Sequence, residues 1–273
     1  METQQLASIS LTLEASSGKP YSVSQVNAFG PLLQGALMEL CDSSYASYLH
    51  AISFNPYSQA CTLSPNKTIT WTLSTLTNDA TKYLIEPLLS TETIKLRAIN
   101  EEFAIKSKTL NYLSLQTILD ELKTNDNQRH QIRFITPTAF KSHGEYVIMP
   151  TPRLIFQNLF MHYNQIFAGE GEADEETIEY IAQNVRISSY NLNSHYFACS
   201  AGNKTKLPAF VGEITLNVTG KQPLHGLVGM LLRFGEFAGV GIKTSMGMGM
   251  MRCVLLNNKT SENKPSKDKT TSN

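Results

Sequence analysis

Two consecutive stretches of this sequence run through the same order of hydrophobic periodicities. Residues 6–14 alternate, with Ile9, Leu11 and Leu13 on one face and Ser8, Ser10 and Thr12 on the other, as in a half-buried strand. Leu32, Leu33, Ala36, Leu37 and Leu40 then recur at helical spacing behind Pro31, and Asp42 or Ser43 caps a short helix over 44–50. β-Branched and aromatic residues predict strands over 52–63 and 67–76, a helix over 79–89 that Pro87 disturbs near its end, and a further strand region over 93–106. The order then repeats. A strand over 131–135 is followed by an amphipathic helix over 154–167, a helix opened by acidic residues, strands over 185–200 and 207–219, a helix over 223–237 and a closing strand over 250–256. Two strand-helix-strand-strand-helix-strand units predict an α+β protein of tandem ferredoxin-like (βαββαβ) domains, here 1–125 and 126–256. The polar tail, 257–273, has too little apolar surface to order itself.

Gly239, Gly241, Gly247 and Gly249 lie within eleven residues that also hold Lys243, Thr244 and Ser245. So many glycines imply positive φ angles or a closely approaching ligand. Consecutive N–H groups in such a turn form an anion-binding concavity, to which Lys243, Thr244 and Ser245 would add a charge and two hydroxyls. A phosphate-binding loop of nucleotide hydrolases requires Gly directly before Lys, and Ile242 intervenes. The dinucleotide fingerprint requires a third glycine three residues after the second, where Thr244 or Arg252 stands. A ligand-free glycine hairpin remains the alternative.

The balance of 23 basic and 23 acidic residues hides an asymmetry. Glu170, Glu172, Asp174, Glu175, Glu176 and Glu179 fall within ten residues, and without them the chain would carry +6. Lys204, Lys206, Lys221, Arg233, Lys243 and Arg252 stand against only Glu213 and Glu236, so the glycine segment lies in a basic region suited to a polyanion. The acidic run suits a helix N-terminus. Cys41, Cys61, Cys199 and Cys253 are widely separated, which predicts buried free thiols rather than zinc ligands or disulfides. There is no run of about 18 apolar residues, and residues 1–5 lack the character of a signal peptide, so no membrane contact and a cytoplasmic location are expected.

The segment from Phe234 to Gly249 resembles the C-terminal signature of the CRISPR-associated repeat-RNA endoribonucleases of the RAMP superfamily. The Thr136-Pro137-Thr138-Ala139-Phe140-Lys141 run is similar to their second-domain strand and turn, and Leu49-His50 with Phe54-Asn55-Pro56-Tyr57-Ser58 to the segment bearing their catalytic histidine. The resemblance implies tandem ferredoxin-like domains with CRISPR repeat RNA along a shared cleft. It also implies metal-independent cleavage by a ribose 2′-OH, with no cofactor. His50 is the acid–base candidate, because an imidazole exchanges protons near neutrality. Relatives often carry a lysine where Asn55 stands, so the transition-state cation falls to Lys243 or Lys141, or hydrogen bonds act alone. Tyr45 and Tyr48 would orient the ribose or simply pack a short helix. RNA contacts are expected from Gly239, Gly241, Lys243, Thr244, Ser245, Gly247, Gly249, Lys141 and Arg233. His130, His143, His162, His195 and His225 have no motif and are expected to be structural or exposed. A non-catalytic RAMP subunit coating guide RNA in a CRISPR effector complex would share the fold and glycine loop without needing His50. A metabolite-binding ferredoxin-like module fits the glycine signature less well. Such an effector complex is a further candidate partner, and monomer and homodimer both stay open.

Overall fold

The computed structural model describes residues 4–199 and 206–256. The tail expected to be disordered lies outside the described residues. The first sheet is built from β1 (Gln5–Ala15), β2 (Tyr57–Leu63), β3 (Ile69–Thr75), β4 (Thr93–Leu96) and β5 (Glu101–Ser114), in the antiparallel order β2-β3-β1-β5-β4. Helices α1 (Val23–Asn27), α2 (Gly30–Leu40) and α3 (Ser43–Ala51) connect β1 to β2. Between β3 and β4, α4 (Asn78–Ala80) and α5 (Glu86–Ser90) are joined by a π-helical turn, Thr81–Ile85. The wider turn accommodates Pro87, which lacks an N–H and crowds the carbonyl four residues back.

After α6 (Leu115–Thr124) come β6 (Arg129–Thr138), β7 (Phe140–Ser142), β8 (Glu145–Val147), α7 (Pro152–Phe167), α8 (Glu175–Asn184), β9 (Val185–Ala198), β10 (Lys206–Val218), α9 (Gln222–Ala238) and β11 (Met251–Leu255). The second sheet has the antiparallel order β11-β6-β10-β9, with β7 and β8 forming a separate hairpin. The architecture is α+β, and its two sheets with their crossing helices are consistent with a duplicated ferredoxin-like arrangement.

The alternation in β1 has the expected outcome. Ile9, Leu11 and Leu13 are buried, while the other face carries a hydroxyl ladder: Ser8 with Ser74 at 3.1 Å, Ser10 with Thr72 at 3.2 Å and Thr12 with Ser107 at 2.8 Å. The strand region expected over 93–106 is instead the β4–β5 hairpin, turned by a 3-10 segment and Asn100 in the left-handed region. Helix α6 was not foreseen. It packs on α9 where Gly226 and Gly229 remove side chains: a Cβ there would lie 2.3 Å from the Leu122 carbonyl oxygen and 2.2 Å from Asn125 Nδ2, respectively.

Each sheet has its own apolar core, but the second core also takes Leu6 and Leu76 from the first half. The polar connection between the halves centres on Gln59, 3% exposed beside the fully buried Trp71. Trp71 Nε1–H donates to its Oε1 at 2.7 Å, and its Nε2 donates to the carbonyls of Gly30 at 3.1 Å and Ser245 at 2.7 Å. Ser58 Oγ adds a bond to the Phe237 carbonyl.

Gln59→Leu keeps the volume and strands three buried polar groups, each costing about 1–3 kcal/mol. Chemical denaturation should show a loss of at least about 2 kcal/mol on that arithmetic, and an unchanged midpoint would deny the bridge any part in stability.

Candidate functional site

Asp42 caps α3, accepting from the N–H groups of Ser44 at 3.0 Å and Tyr45 at 3.1 Å. The helix ends at Ala51, which leaves His50 exposed in its last turn. The chain then forms a rib over 52–56 before entering β2. Two adjoining clefts share Ser53 and Phe54 of this rib as a common wall. One, of ≈ 390 Å³, is lined by Tyr45, Tyr48, Asp79 and Gln165; the other, of ≈ 360 Å³, by Asn55, Asn158, His162 and residues 241–246.

The rib is held by contacts to the second half. His162 Nε2 bonds to the Asn55 carbonyl at 3.1 Å, which assigns the ring proton to that nitrogen, and Asn55 Nδ2 reaches Ser245 Oγ at 3.5 Å. Burial pushes the His162 pKa down to about 4, with the Asn55 bond acting the other way. Near neutrality the ring is therefore an uncharged spacer, set between Phe54 and Phe234 with centroids 5.3 and 5.8 Å away. Sequence reasoning grouped His162 with structural or exposed histidines and missed that it lines this cleft. Its helical spacing on the core face of α7 gave only the structural half of the answer.

The glycine segment differs from the expected cradle. Gly239, Gly241, Gly247 and Gly249 all have positive φ, but they serve contacts within the protein. A Cβ on Gly241 would lie 2.3 Å from the Ala139 carbonyl oxygen, and one on Gly247 2.9 Å from Gly30 Cα. Most of the N–H groups are also committed. Gly241 donates to Asn158 Oδ1 at 2.7 Å, Ile242 to Ala139 at 2.9 Å, Met248 to Lys243 at 3.3 Å and Gly249 to Pro137 at 3.0 Å. Among the described residues, the consecutive N–H groups of Lys243, Thr244 and Ser245 have no such acceptor. The available donors thus narrow to one turn. Thr244 and Ser245 are largely buried, so their side chains support the turn instead of standing free as hydroxyl donors.

Lys243 lines the second cleft from a left-handed backbone, φ 56° and ψ 36°, and forms no salt bridge among the described residues. Tyr48 is half exposed, whereas Tyr45 stacks on Tyr83 at 4.6 Å and burial raises its phenol pKa. Lys141 sits exposed on β7, and Arg233 pairs with Glu236 at 2.6 Å; neither lines a cleft. The structure therefore assembles Lys243 and its turn beside the rib that follows His50, and leaves His50, Lys141 and Arg233 outside the lining of both clefts. Among the described residues no three His, Cys, Asp or Glu side chains are placed to hold a metal ion, and no helix is long and apolar enough to cross a membrane. The four cysteines are free thiols; Cys61 alone is fully buried, the other three only partly.

Residues 132–251 match the family described as CRISPR-associated endoribonuclease Cas6. A protein of that name from Mycobacterium tuberculosis is 36% identical over 253 residues, 92% of this chain and 79% of its own length. One from Streptococcus thermophilus is 36% identical over 216 residues, 79% of this chain and 87% of its own. Among solved structures, Thermus thermophilus Cas6 superposes with a TM-score of 0.67 at 21% identity, covering 93% of this chain and 100% of that one. A Cas6 product complex gives 0.72 at 20%, covering 92% and 99%.

Two measurements check this site. Gly241→Ala should cost at least about 2 kcal/mol from the forced φ and the backbone clash, whereas Gly35→Ala, in open helical space, should be neutral or stabilising. Comparable melting of both variants would show that the glycine loop does not need its close packing. The depressed His162 pKa means the unfolded chain binds that proton first, so stability falls as pH drops from about 6.5 towards 4. His162→Gln should flatten that decline relative to wild type, by up to roughly 3 kcal/mol at pH 4; parallel curves in pH-dependent denaturation would count against a buried neutral ring.

Proposed function

The chain belongs to the CRISPR-associated endoribonuclease Cas6 family, and from that membership we propose that it cuts precursor CRISPR RNA within its repeats to release guide RNAs. The reaction is metal-independent. The ribose 2′-oxygen loses its proton and bonds to the adjacent phosphorus while the bond to the 5′-oxygen breaks and that oxygen takes up a proton. The products are a 2′,3′-cyclic phosphate and a 5′-OH. His50 handles these proton transfers from the exposed end of α3. Lys243 and the N–H groups of residues 243–245 stabilise charge on the phosphate oxygens.

The observation that carries this reading is the contact between the rib and the glycine turn. Asn55, five residues beyond His50, touches Ser245 and accepts the His162 bond, so the rib that follows His50 and the Lys243 turn border one cleft. Asn55 occupies the position where many relatives supply a lysine, and Lys243 takes over that charge. The lack of a metal-ligand group among the described residues fits side-chain acid–base work. The finer architecture is two βαββαβ units, 1–125 and 126–256, with repeat RNA along the groove between them and α6 bracing that groove through α9. The protein acts in the cytoplasm, where its product can pass to a CRISPR effector complex.

The test is single-turnover cleavage of a repeat-containing transcript in EDTA. His50→Ala should lose about 10²- to 10⁴-fold in rate while still binding RNA, and a 2′-deoxy substitution 5′ to the scissile phosphate should abolish the cut. Lys243→Ala should lower affinity and reduce the salt slope by about one unit or less. A wild-type protein that binds the repeat without cutting it would instead be a guide-coating subunit, and a His50→Ala rate within about threefold of wild type would remove His50 from the chemistry.

A further inference from the structure

The cleft on the other side of the rib has the opposite character. No Lys or Arg lines it, and Asp79 does. The acidic run also reaches this side: Gly171, between Glu170 and Glu172, approaches Gln165 so closely that a Cβ would lie 2.6 Å from its Oε1 and 3.7 Å from Phe54 Cε2. A phosphate is unwelcome here. Among the described residues neither the Asp79 carboxylate nor the Gln165 carboxamide has a side-chain partner, so an acceptor pair and an amide are open to a ligand. Phe54 and Tyr48 add aromatic faces, and Tyr48 is 52% exposed. Aromatic planes with a few fixed polar groups are how proteins hold an unstacked base of single-stranded RNA by its Watson–Crick and Hoogsteen edges.

The polar groups select among the bases. A carboxylate offers only acceptors, and guanine alone presents two adjacent donors, N1–H and the N2 amine, on its Watson–Crick edge. Adenine and cytosine each pair an amine with a ring acceptor, and the N3–H of uracil is flanked by carbonyls. The Gln165 amide can donate to guanine O6 or N7. At ≈ 390 Å³ the cleft has room for a purine. We propose that the cleft formed by Tyr48, Phe54, Asp79 and Gln165 binds a guanine of the repeat RNA adjoining the cut, with Asp79 as the residue that specifies it. This rests on the reading of the chain as a repeat-RNA nuclease. It adds a division of labour at the rib: phosphate on the Lys243 side, base on the Asp79 side.

The experiment measures binding of a repeat RNA that carries a 2′-deoxy block at the cut, with each unpaired guanine replaced in turn by inosine, which lacks the N2 amine. Wild type should lose about 5- to 150-fold at one position, the range of a bidentate base contact. Asp79→Asn should lose a similar factor on the guanine RNA and nothing further on that inosine RNA. Indifference of wild type to every inosine, or equal losses by Asp79→Asn on both RNAs, overturns the guanine site while leaving the nuclease reading intact. Failure of wild type to bind the unmodified repeat overturns both. Should Asp79→Asn melt early, Gln165→Glu, which turns a donor into an acceptor facing O6, should weaken binding of the guanine RNA, and unchanged binding counts against the site.

Discussion

The Gln59 carboxamide is the constraint on which the arrangement of the two halves depends. All three of its polar directions are used, by Trp71 from the first sheet, the Gly30 carbonyl at the start of α2 and the Ser245 carbonyl in the glycine turn. In a low-dielectric setting such a group tolerates few positions, because any shift strands a donor or an acceptor. Apolar packing alone would let the halves slide. The amide fixes the turn against α2 at a separation where only Gly30 and Gly247 fit face to face. The orientation of Lys243 therefore follows from an interaction made by a neutral side chain on the opposite half.

Much of the fold was legible because its elements obey one period each. The alternation in β1, the Pro-led starts of α2 and α9 and the acidic opening of α8 all matched. In α8, Asp174 of the acidic run caps the helix, accepting from the Thr177 N–H at 2.9 Å. Helix α6 was legible and was passed over: Leu115, Ile118, Leu119 and Leu122 recur at helical spacing behind Ser114, although Ile118 is its one fully buried residue and its seat is provided by glycines a hundred residues away. The β7–β8 hairpin is made of three-residue strands, too short to show a period. The break at Asn100 was hidden because a non-glycine residue takes the left-handed position.

The site was legible in part, and for a different reason. The glycine pattern announced an unusual backbone, but not whether it serves a ligand or the protein itself, since positive φ and close approach look alike in one dimension. Here Gly241, Gly247 and Gly249 give way to Ala139, Gly30 and Val240. Lys243 stood out as the lysine among those glycines, whereas Arg233 was suggested by its sequence neighbourhood and is engaged with Glu236. Asp79 and Gln165 gave no signal, because they come to line one cleft only when separate helices, α4 and α7, are brought together by the fold.

Lys243 occupies a left-handed backbone conformation, φ 56°, that costs a residue with a Cβ on the order of 1–2 kcal/mol. Glycine would adopt it freely, and glycine is two residues away on one side and four on the other. At this position the backbone favours glycine and the sequence holds a lysine. A lineage drifting under selection for thermostability alone would lose the charge before it lost the loop, and its descendants would keep an intact glycine signature without the lysine.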